Sequence, residues 1–437
     1  MKSVNKKTAL IVFVFLFTLT AIGFGGFFYH QYKTKHASQN PRKIKNQHVS
    51  FLFEVYDTIQ QNYWNKITDE QLIDLYVLAA EKLMDKKLEI KEKDQKNLQK
   101  LLTTSINEIN DESKKIEFTA SLADIVLANL EPFGRSRLYS QKQETDLKNR
   151  VENINPEVNH YQALEVEKDV SAENLQNAFE EKSTELQKDT SLEAQQKLAQ
   201  VNKAYEILSD EKNRQIYDQT GAQPTMENKL LSPQIFYLRL NQFSPTTIEE
   251  LLSVTQKVDI GETLDTLILD LRDNVGGAID GLPYFLGPFI GNDQFAYQFF
   301  HQGERQDFKT KIGWLPSLLR YKKVVVLINE NSQSSAEVMA SVLKKYNVGI
   351  LVGYKTKGWG TVERVFSLNS QFDSTTKYSV FLVHSLTLRE DNEPIEGKGV
   401  EPNIDVTNPD WESQLTKHFN STFLTQKIKE ILSGKTP

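Results

Sequence analysis

Two parts of this sequence carry residues that suit nucleophilic chemistry. An apolar run at 324–328, VVVLI, leads into the serine-rich turn 331–335, NSQSS. A serine hydroxyl becomes a useful nucleophile only when a neighbouring base accepts its proton. A second apolar run, TLILD at 266–270, leads to Gly276 and Gly277, and glycines suit a loop whose backbone must approach a ligand closely. The elements around these turns decide whether they meet.

Composition excludes several classes of function. The 437 residues are 39% hydrophobic and 25% charged, which is enough for a large core and two or three domains. The net charge of −6 gives no basic footprint, so we expect no nucleic-acid partner. The chain has no cysteine, which excludes disulfides, thiolate zinc sites and a cysteine nucleophile. No acidic or histidine cluster has metal-ligand spacing and no phosphate-cradling loop occurs, so we expect no metal and no cofactor.

The N-terminus predicts a membrane anchor. An uncharged run at 8–29 follows Lys2, Lys6 and Lys7 and is long enough to span a bilayer. Because no clear cleavage site follows, we predict an uncleaved transmembrane helix within 1–30, then a basic juxtamembrane linker over 31–49. The positive charges after the span would by themselves favour a cytoplasmic body.

The remaining chain predicts a mixed α/β protein. Apolar residues recur at helical spacing in the predicted helical region 50–155. Pro, Ser and Asn mark a linker over 223–234. Alternation at 235–242 and the buried run at 266–271 predict strands of an α/β core over 235–410, and we predict a C-terminal helix over 411–437.

The segment 156–222 resembles a J domain. The stretches HYQALEV and AYEILSDEKNRQIYDQTG carry the resemblance, and Ser171 is a plausible N-cap for its second helix. J domains stimulate a chaperone ATPase through a His-Pro-Asp loop beside a basic helix. Here that loop is 187–189, Gln-Lys-Asp, and the helix carries Glu180, Glu181 and Glu185, which would repel an acidic partner. The alternative interpretation is a helical spacer or a protein-docking module.

The α/β core resembles the C-terminal processing (tail-specific) serine peptidases. The stretches LDLRDNVGG, ENSQSSAE, KGWGTVE and GKGVEP follow one another as the family's motifs do, and 130–134, LEPFG, matches a further motif in the helical region. The resemblance implies that Ser334 is the nucleophile. It also implies oxyanion donors at the Ser335 N–H and at Gly276 or Gly277. The J-like segment occupies the place of the family's usual PDZ domain.

The same resemblance puts the general base in question. The lysine of the family's dyad falls on Trp359, and the glutamine that holds that lysine falls on Glu363. An indole N–H donates and cannot accept a proton, and an ordinary carboxylate is a weak base towards serine. Lys357, two residues before Trp359, could enter the site from a displaced backbone.

Other residues offer alternative roles. His384 could rebuild a serine–histidine pair, although a satisfied, half-buried histidine is the simpler interpretation. Ser332 and Ser335 are most simply a turn residue and a helix N-cap. Lys355 lies two residues before Lys357, and the simpler interpretation of Lys357 is an exposed lysine on a loop.

Three functional hypotheses follow. The first is a membrane-anchored serine peptidase that trims exposed C-terminal polypeptide tails, with its activity weakened or lost by the change at Trp359. The second is a catalytically silent scaffold of the same fold that binds tail peptides or serves a regulatory protein. The third is a membrane J-type co-chaperone. The resemblance to the peptidases implies a single-pass protein whose body lies outside the cytoplasm.

Overall fold

A computed structural model describes residues 44–189, 191–257, 263–389 and 391–434, and it begins with a helical arm. The helices of this arm are α1 Gln47–Asn62, α2 Asp69–Met84, α3 Gln95–Asn107 and α4 Glu112–Ala128. Phe51, Val55 and Ile59, which the sequence places on one helical face, are fully buried, so burial of an apolar stripe holds the arm together. Thr68 starts α2 with a capping box.

Two short elements connect the arm to the next module. They are β1 Arg137–Ser140 and α5 Gln141–Val151. Strand β1 joins a sheet of the α/β core, where Leu138 lies opposite Val380. The arm is therefore part of the same folded body as the core.

A helical module over 156–222 corresponds to the J-like segment. Its helices are α6 His160–Leu164, α7 Ala172–Leu186, α8 Leu192–Ser209 and α9 Glu211–Thr220. Leu164, Leu175 and Ala204 are buried in a core that belongs to this module. The predicted N-cap is confirmed, because the Asn174 N–H donates to Ser171 Oγ at 3.2 Å.

The module leaves and rejoins the chain at one neck. Ile154 and Ala222 form an antiparallel bridge, and the Gln223 N–H donates to the Asn153 carbonyl at 2.9 Å. These bonds bring the two ends of the insertion together. The J-like module is therefore an insertion with a core of its own, and outside the neck Lys212 Nζ donates to the Glu249 carbonyl of the α/β core at 3.1 Å.

The α/β core supplies the remaining elements. Its strands are β2 Met226–Ser232, β3 Ile235–Leu240, β4 Thr266–Asp270, β5 Phe295–His301, β6 Glu304–Lys309, β7 Lys323–Ile328, β8 Ile350–Gly353, β9 Thr361–Ser367, β10 Tyr378–Leu388 and β11 Ile404–Asp405. Its helices are α10 Thr247–Lys257, α11 Leu282–Ile290, α12 Pro316–Leu319, α13 Ser335–Lys345, α14 Trp411–Phe419 and α15 Thr422–Leu432.

Two sheets organise this core. The first has the order β11-β8-β7-β4-β3-β2, and all of its neighbours are parallel except β2 against β3. The second has the order β1-β10-β5-β6, with β9 also paired to β10. Strands β4 and β7 are buried along almost their whole length, as expected for central parallel strands.

The topology of the first sheet brings three turns together. Strands β4, β7 and β8 are parallel neighbours, so their carboxyl ends lie at one edge. The glycine loop follows β4, the serine turn follows β7, and the turn that contains Trp359 follows β8. The carboxyl edge of a parallel sheet is the usual position of a ligand site in such folds.

Several expectations need correction. The segment 223–234 is no simple linker, because β2 pairs there with β3 as an edge strand. The juxtamembrane linker was predicted to reach residue 49, but α1 already begins at Gln47. The C-terminal segment forms two helices, since Asn420 takes a left-handed conformation at φ +49°. Within the described ranges no helix is long and apolar enough to cross a bilayer, and the predicted span at 8–29 lies outside those ranges.

Candidate active site

Ser334 lies in a strained turn between β7 and α13. Its φ of +56° and ψ of −122° are rare for a residue with a side chain, and such strain is concentrated at functional sites. The helix begins at Ser335, so Ser334 is the N-cap residue, and the expectation that Ser335 would fill that position is wrong. Ser332 is fully buried and its hydroxyl donates to the Leu271 carbonyl at 2.8 Å, as expected for a turn residue.

The glycine loop lies directly against this serine. Gly276 and Gly277 have φ values of +83° and +129°. A Cβ atom added to Gly276 would lie 2.6 Å from Ser334 Cβ and 3.1 Å from Ser334 Oγ. One added to Gly277 would lie 2.0 Å from the Phe243 carbonyl oxygen. The structure thus places the two glycines and the serine together, and no side chain fits at either glycine.

The candidate oxyanion donors differ in availability. The Gly276 N–H donates to Asn274 Oδ1 at 2.8 Å and is therefore occupied. Ser335 is the first residue of α13, so its N–H has no acceptor within the helix. The Ser335 hydroxyl donates to the Gly277 carbonyl at 3.1 Å and fixes the distance between helix and loop. The Gly277 and Ser335 N–H groups are the better placed pair for a developing oxyanion.

Glu337 joins the serine turn to the turn after β8. Its fully buried carboxylate accepts hydrogen bonds from four donors. These are the Ser334 N–H at 2.9 Å, the Thr356 hydroxyl at 2.6 Å, the Gly358 N–H at 2.7 Å and the Trp359 N–H at 2.7 Å. Burial raises the pKa of this carboxyl above its ordinary value, and the four hydrogen bonds oppose that rise.

Glu337 was missed as a site residue in the sequence. The available signal was the glutamate that ends the ENSQSSAE motif, in the first turn of α13. It touches no reacting atom in this arrangement. It is a positioning residue, because it sets where both turns lie.

Trp359 occupies the position of the family's lysine and is held by cations. The Arg135 guanidinium carbon lies 3.4 Å from the centroid of the Trp359 ring, and Lys357 Nζ lies 5.0 Å from it. Arg135 Nη2 also binds Glu396 Oε1 at 3.0 Å. Glu396 Oε2 in turn accepts the Gly360 N–H at 2.8 Å. Arg135, which no local sequence signal indicated, thus fixes the ring against the turn.

Glu363 stands where the family has glutamine. Burial raises the pKa of its carboxyl, while hydrogen bonds from the Thr361 hydroxyl and the Trp359 side chain and the charge of Arg135 oppose the rise. The Thr361 hydroxyl lies 2.6 Å from Glu363 Oε1. The changes at Trp359 and Glu363 are therefore chemically compatible, because the indole supplies a hydrogen-bond donor and the carboxylate an acceptor.

The two candidate lysines lie at the surface. Lys357 is exposed, its backbone N–H donates to the Ser332 carbonyl at 3.1 Å, and its ammonium lies over Trp359. Lys355 is exposed and forms an ion pair with Glu401 at 2.8 Å. The Lys357 backbone thus lies beside the serine turn, while its side chain is turned to the indole. A displaced lysine base stays a prediction.

His384 lies on β10, between the residues that pair with Val362 and Glu363 of β9. It sits at an irregularity of β10, and its ring stacks on His301 with centroids 4.3 Å apart. Burial, Arg364 and His301 lower the pKa of His384 to about 3. Its Nδ1 lies 2.8 Å from Ser385 Oγ. This is the half-buried, satisfied histidine of the simpler interpretation.

The loop of the J-like module is exposed. Asp189 accepts the Ser191 N–H at 2.8 Å and so helps to start α8. Glu180, Glu181 and Glu185 are all exposed on α7, which gives this helix an acidic outer surface.

Comparison with known proteins identifies two domains. Peptidase family S41 matches residues 234–406, and the DnaJ domain matches residues 159–218. A CtpA-like serine protease of Staphylococcus epidermidis is 29% identical over 186 residues, which are 43% of this chain and 36% of that protein. One of Staphylococcus haemolyticus is 28% identical over 199 residues, 45% of this chain and 38% of that protein. The matched part thus spans well under half of these relatives.

Two solved structures are also similar. The photosystem II D1 C-terminal processing protease has 18% identity and a TM-score of 0.35, and covers 42% of this chain and 48% of its own. A lipoprotein from Streptococcus agalactiae has 12% identity and a TM-score of 0.43, and covers 87% and 99%. Scores this low establish nothing about this chain. From the family matches, the chain contains a peptidase family S41 domain and, inserted before it, a DnaJ domain.

Proposed function

We propose that this is a membrane-anchored protein whose S41 domain binds unstructured polypeptide tails, with hydrolysis weakened or lost. The proposed binding site, called the cleft below, lies between the Ser334 turn, the glycine loop with Gly276 and Gly277, and the Trp359 turn. One observation carries the loss of hydrolysis. The side chain at the family's lysine position is the Trp359 indole, stacked under Arg135 at 3.4 Å. Because an indole accepts no proton, Ser334 has no amine base at that position.

Glu363 is a poor replacement for the base. Its raised pKa would make the carboxylate a stronger base than usual. However, Thr361 and Trp359 already donate to it, and such bonds stabilise the carboxylate and reduce its basicity. Proton transfer from Ser334 would have to compete with both bonds.

The parts of the cleft that a bound tail would use support peptide binding. The strained Ser334, the closely packed Gly276 and the donors of Gly277 and Ser335 are positioned by backbone geometry, and they do not depend on the missing lysine. The match to CtpA-like serine proteases supports polypeptide as the ligand. We propose that the domains after the anchor lie outside the cytoplasm and that the apolar run at 8–29 tethers them to the membrane.

A restoration experiment tests the proposal. The full chain in detergent is incubated with a fluorogenic reporter carrying an unstructured tail. We expect no turnover above that of Ser334→Ala. We expect the double variant Trp359→Lys, Glu363→Gln to gain turnover that a further Ser334→Ala change removes. Turnover by the unmodified chain that Ser334→Ala abolishes would show that hydrolysis is retained and overturn its proposed loss.

Tail binding is measured separately by fluorescence anisotropy of a labelled tail peptide. We expect binding by the unmodified chain and by Ser334→Ala, because the hydroxyl is small and the cleft is otherwise unchanged. Failure of every tail peptide to bind would contradict the binding part of the proposal.

The DnaJ match favours a second candidate, a J-type co-chaperone. Against it, Gln187 and Lys188 replace the first two residues of the His-Pro-Asp loop, and Asp189 is engaged by Ser191. If the module is a co-chaperone, the chain raises the ATPase rate of a heat-shock chaperone and Asp189→Asn removes the increase. We expect no increase.

A further inference from the structure

Two cationic side chains meet at Trp359, on the turn beside the nucleophile. Arg135 stacks on the ring at 3.4 Å, and Lys357 holds its ammonium 5.0 Å from the ring centroid. The Lys357 backbone N–H donates to the Ser332 carbonyl at 3.1 Å, so the base of this side chain lies against the serine turn. The Lys357 charge therefore lies over Trp359, on a turn whose backbone contacts the serine turn.

Lys357 differs from its neighbour Lys355 in having no anionic partner. Lys355 forms an ion pair with Glu401 at 2.8 Å. Across residues 44–434, excluding the short gaps in the description, no carboxylate pairs with Lys357, although it is exposed. Arg135 also has an unsatisfied donor, because its buried Nη1 has no hydrogen-bond partner among the same residues. Buried donors without partners are rare in folded proteins.

The carboxylates nearby are already engaged. Glu337 accepts four hydrogen bonds, Glu396 is shared between Arg135 and the Gly360 N–H, and Glu363 is bonded to Thr361. None of these three carboxylates forms an ion pair with the Lys357 ammonium.

We infer that the Trp359 turn is a receptor for the terminal carboxylate of a bound polypeptide tail. Lys357 is the accessible cation that pairs with the carboxylate, in a charge-assisted hydrogen bond. Arg135 is a positioning residue that adds charge behind the indole and holds the ring, on which the Lys357 ammonium rests. This inference rests on the proposed tail binding and assigns the side chains that hold the C-terminal end of the tail.

The test compares three labelled peptides on the full chain in detergent, by anisotropy. The first two share one unstructured sequence without charged side chains, and the third differs from that sequence only by one aspartate. The first ends in a free carboxylate, the second in an amide, and the third in an amide with one internal aspartate. The free acid is expected to bind about tenfold tighter than either amide peptide, the effect of one charge-assisted contact.

The lysine pair supplies a matched control. Lys357→Met keeps the length of the side chain and removes its charge, and we expect it to abolish the preference for the free acid. Lys355→Met, on an equally exposed lysine that already has a carboxylate partner, is expected to keep that preference.

Three results would overturn the inference while leaving tail binding intact. One is equal affinity for the acid and the amide. Another is equal loss of the preference in Lys355→Met and Lys357→Met, which would indicate general surface charge. The third is full recovery of affinity by the internal aspartate, which would indicate a receptor for acidic side chains. If none of the peptides binds, the proposed function fails along with the inference.

Discussion

The site has two halves that have diverged from the family motif to different extents. The serine half comprises the loop with Gly276 and Gly277 and the Ser334 turn, and its strained backbone and close approaches are intact. The tryptophan half comprises the turn 357–360 and Glu363, and there an indole and a carboxylate stand at the positions of the base and its holder. The backbone geometry is kept in the serine half, while the side-chain chemistry has changed in the tryptophan half.

This difference indicates what the fold needs from each half. The serine half is required by packing, since nothing larger than glycine fits beside Ser334. The tryptophan half needs only a side chain that can occupy the pocket with its polar groups satisfied, and Trp359 does so with Arg135 and Glu363. The structure around Ser334 thus does not require a lysine at position 359 or a glutamine at position 363.

Glu337→Ala should have the largest effect on stability, because it removes the hydrogen bonds that join the two halves. Four donors lose their acceptor in a buried site, so we expect the S41 domain to lose about 3–5 kcal/mol of stability. The measurement is the unfolding midpoint of the full chain, with tail binding as a second readout. Glu330→Ala, an exposed glutamate just after β7, is the control and should change neither. An unchanged midpoint for Glu337→Ala would contradict its joining role.

Gly276→Ala should damage the serine half alone. The new methyl would lie 2.6 Å from Ser334 Cβ, at a φ of +83°, and we expect a cost of about 2–4 kcal/mol together with loss of tail binding. Gly281→Ala is the control, because its φ is ordinary and no atom lies within 4 Å of the added Cβ. Full tail binding by Gly276→Ala would mean that the cleft lies elsewhere.

Arg135→Met should loosen the tryptophan half alone. It removes the stack on Trp359 and the pair with Glu396, for which we expect a loss of about 1–2 kcal/mol. Arg137→Met is a matched control two residues along, where a half-exposed arginine pairs with Asp124, and surface pairs contribute about 1 kcal/mol or less. Equal shifts in the two midpoints would show that the stack on Trp359 adds nothing.

Local patterns in the sequence were enough to predict the central strands of the parallel sheet and the turns that follow them. The apolar runs 235–240, 266–270 and 324–328 form strands almost as expected, because buried parallel strands have continuous apolar sequences. The order of the motifs also predicted that the Gly276 loop and the Ser334 turn lie close together. The edge strand β2 was missed, since its polar residues and the Pro, Ser and Asn around it read as a linker.

The contacts of the tryptophan half could not be predicted in this way. Arg135 lies between α4 and β1, far from Trp359 in sequence, and β1 packs against β10 next to it. The stacked pair of His301 and His384 likewise joins two strands that are distant in sequence. No periodicity or motif encodes such contacts, because they depend on tertiary geometry.

The smallest effect is expected from Glu363→Gln, read through its pH dependence. The pKa of Glu363 is raised in the folded chain, mainly by burial. A raised carboxyl pKa stabilises the fold below the unfolded value of about 4.3, and that contribution is lost as pH rises through the folded pKa. Glutamine keeps an acceptor for Thr361 and Trp359 without the buried charge.

The variant should therefore be more stable than the unmodified chain at pH 7, by about 1 kcal/mol or less. The two unfolding midpoints should converge as pH falls below the unfolded pKa of about 4.3, because Glu363 is then protonated in both the folded and the unfolded chain. Glu304→Gln, an exposed position at the start of β6, should show no such convergence. A constant gap between Glu363→Gln and the unmodified chain at all pH values would mean that Glu363 carries no buried charge, and the tryptophan half would then differ from the family motif only in shape.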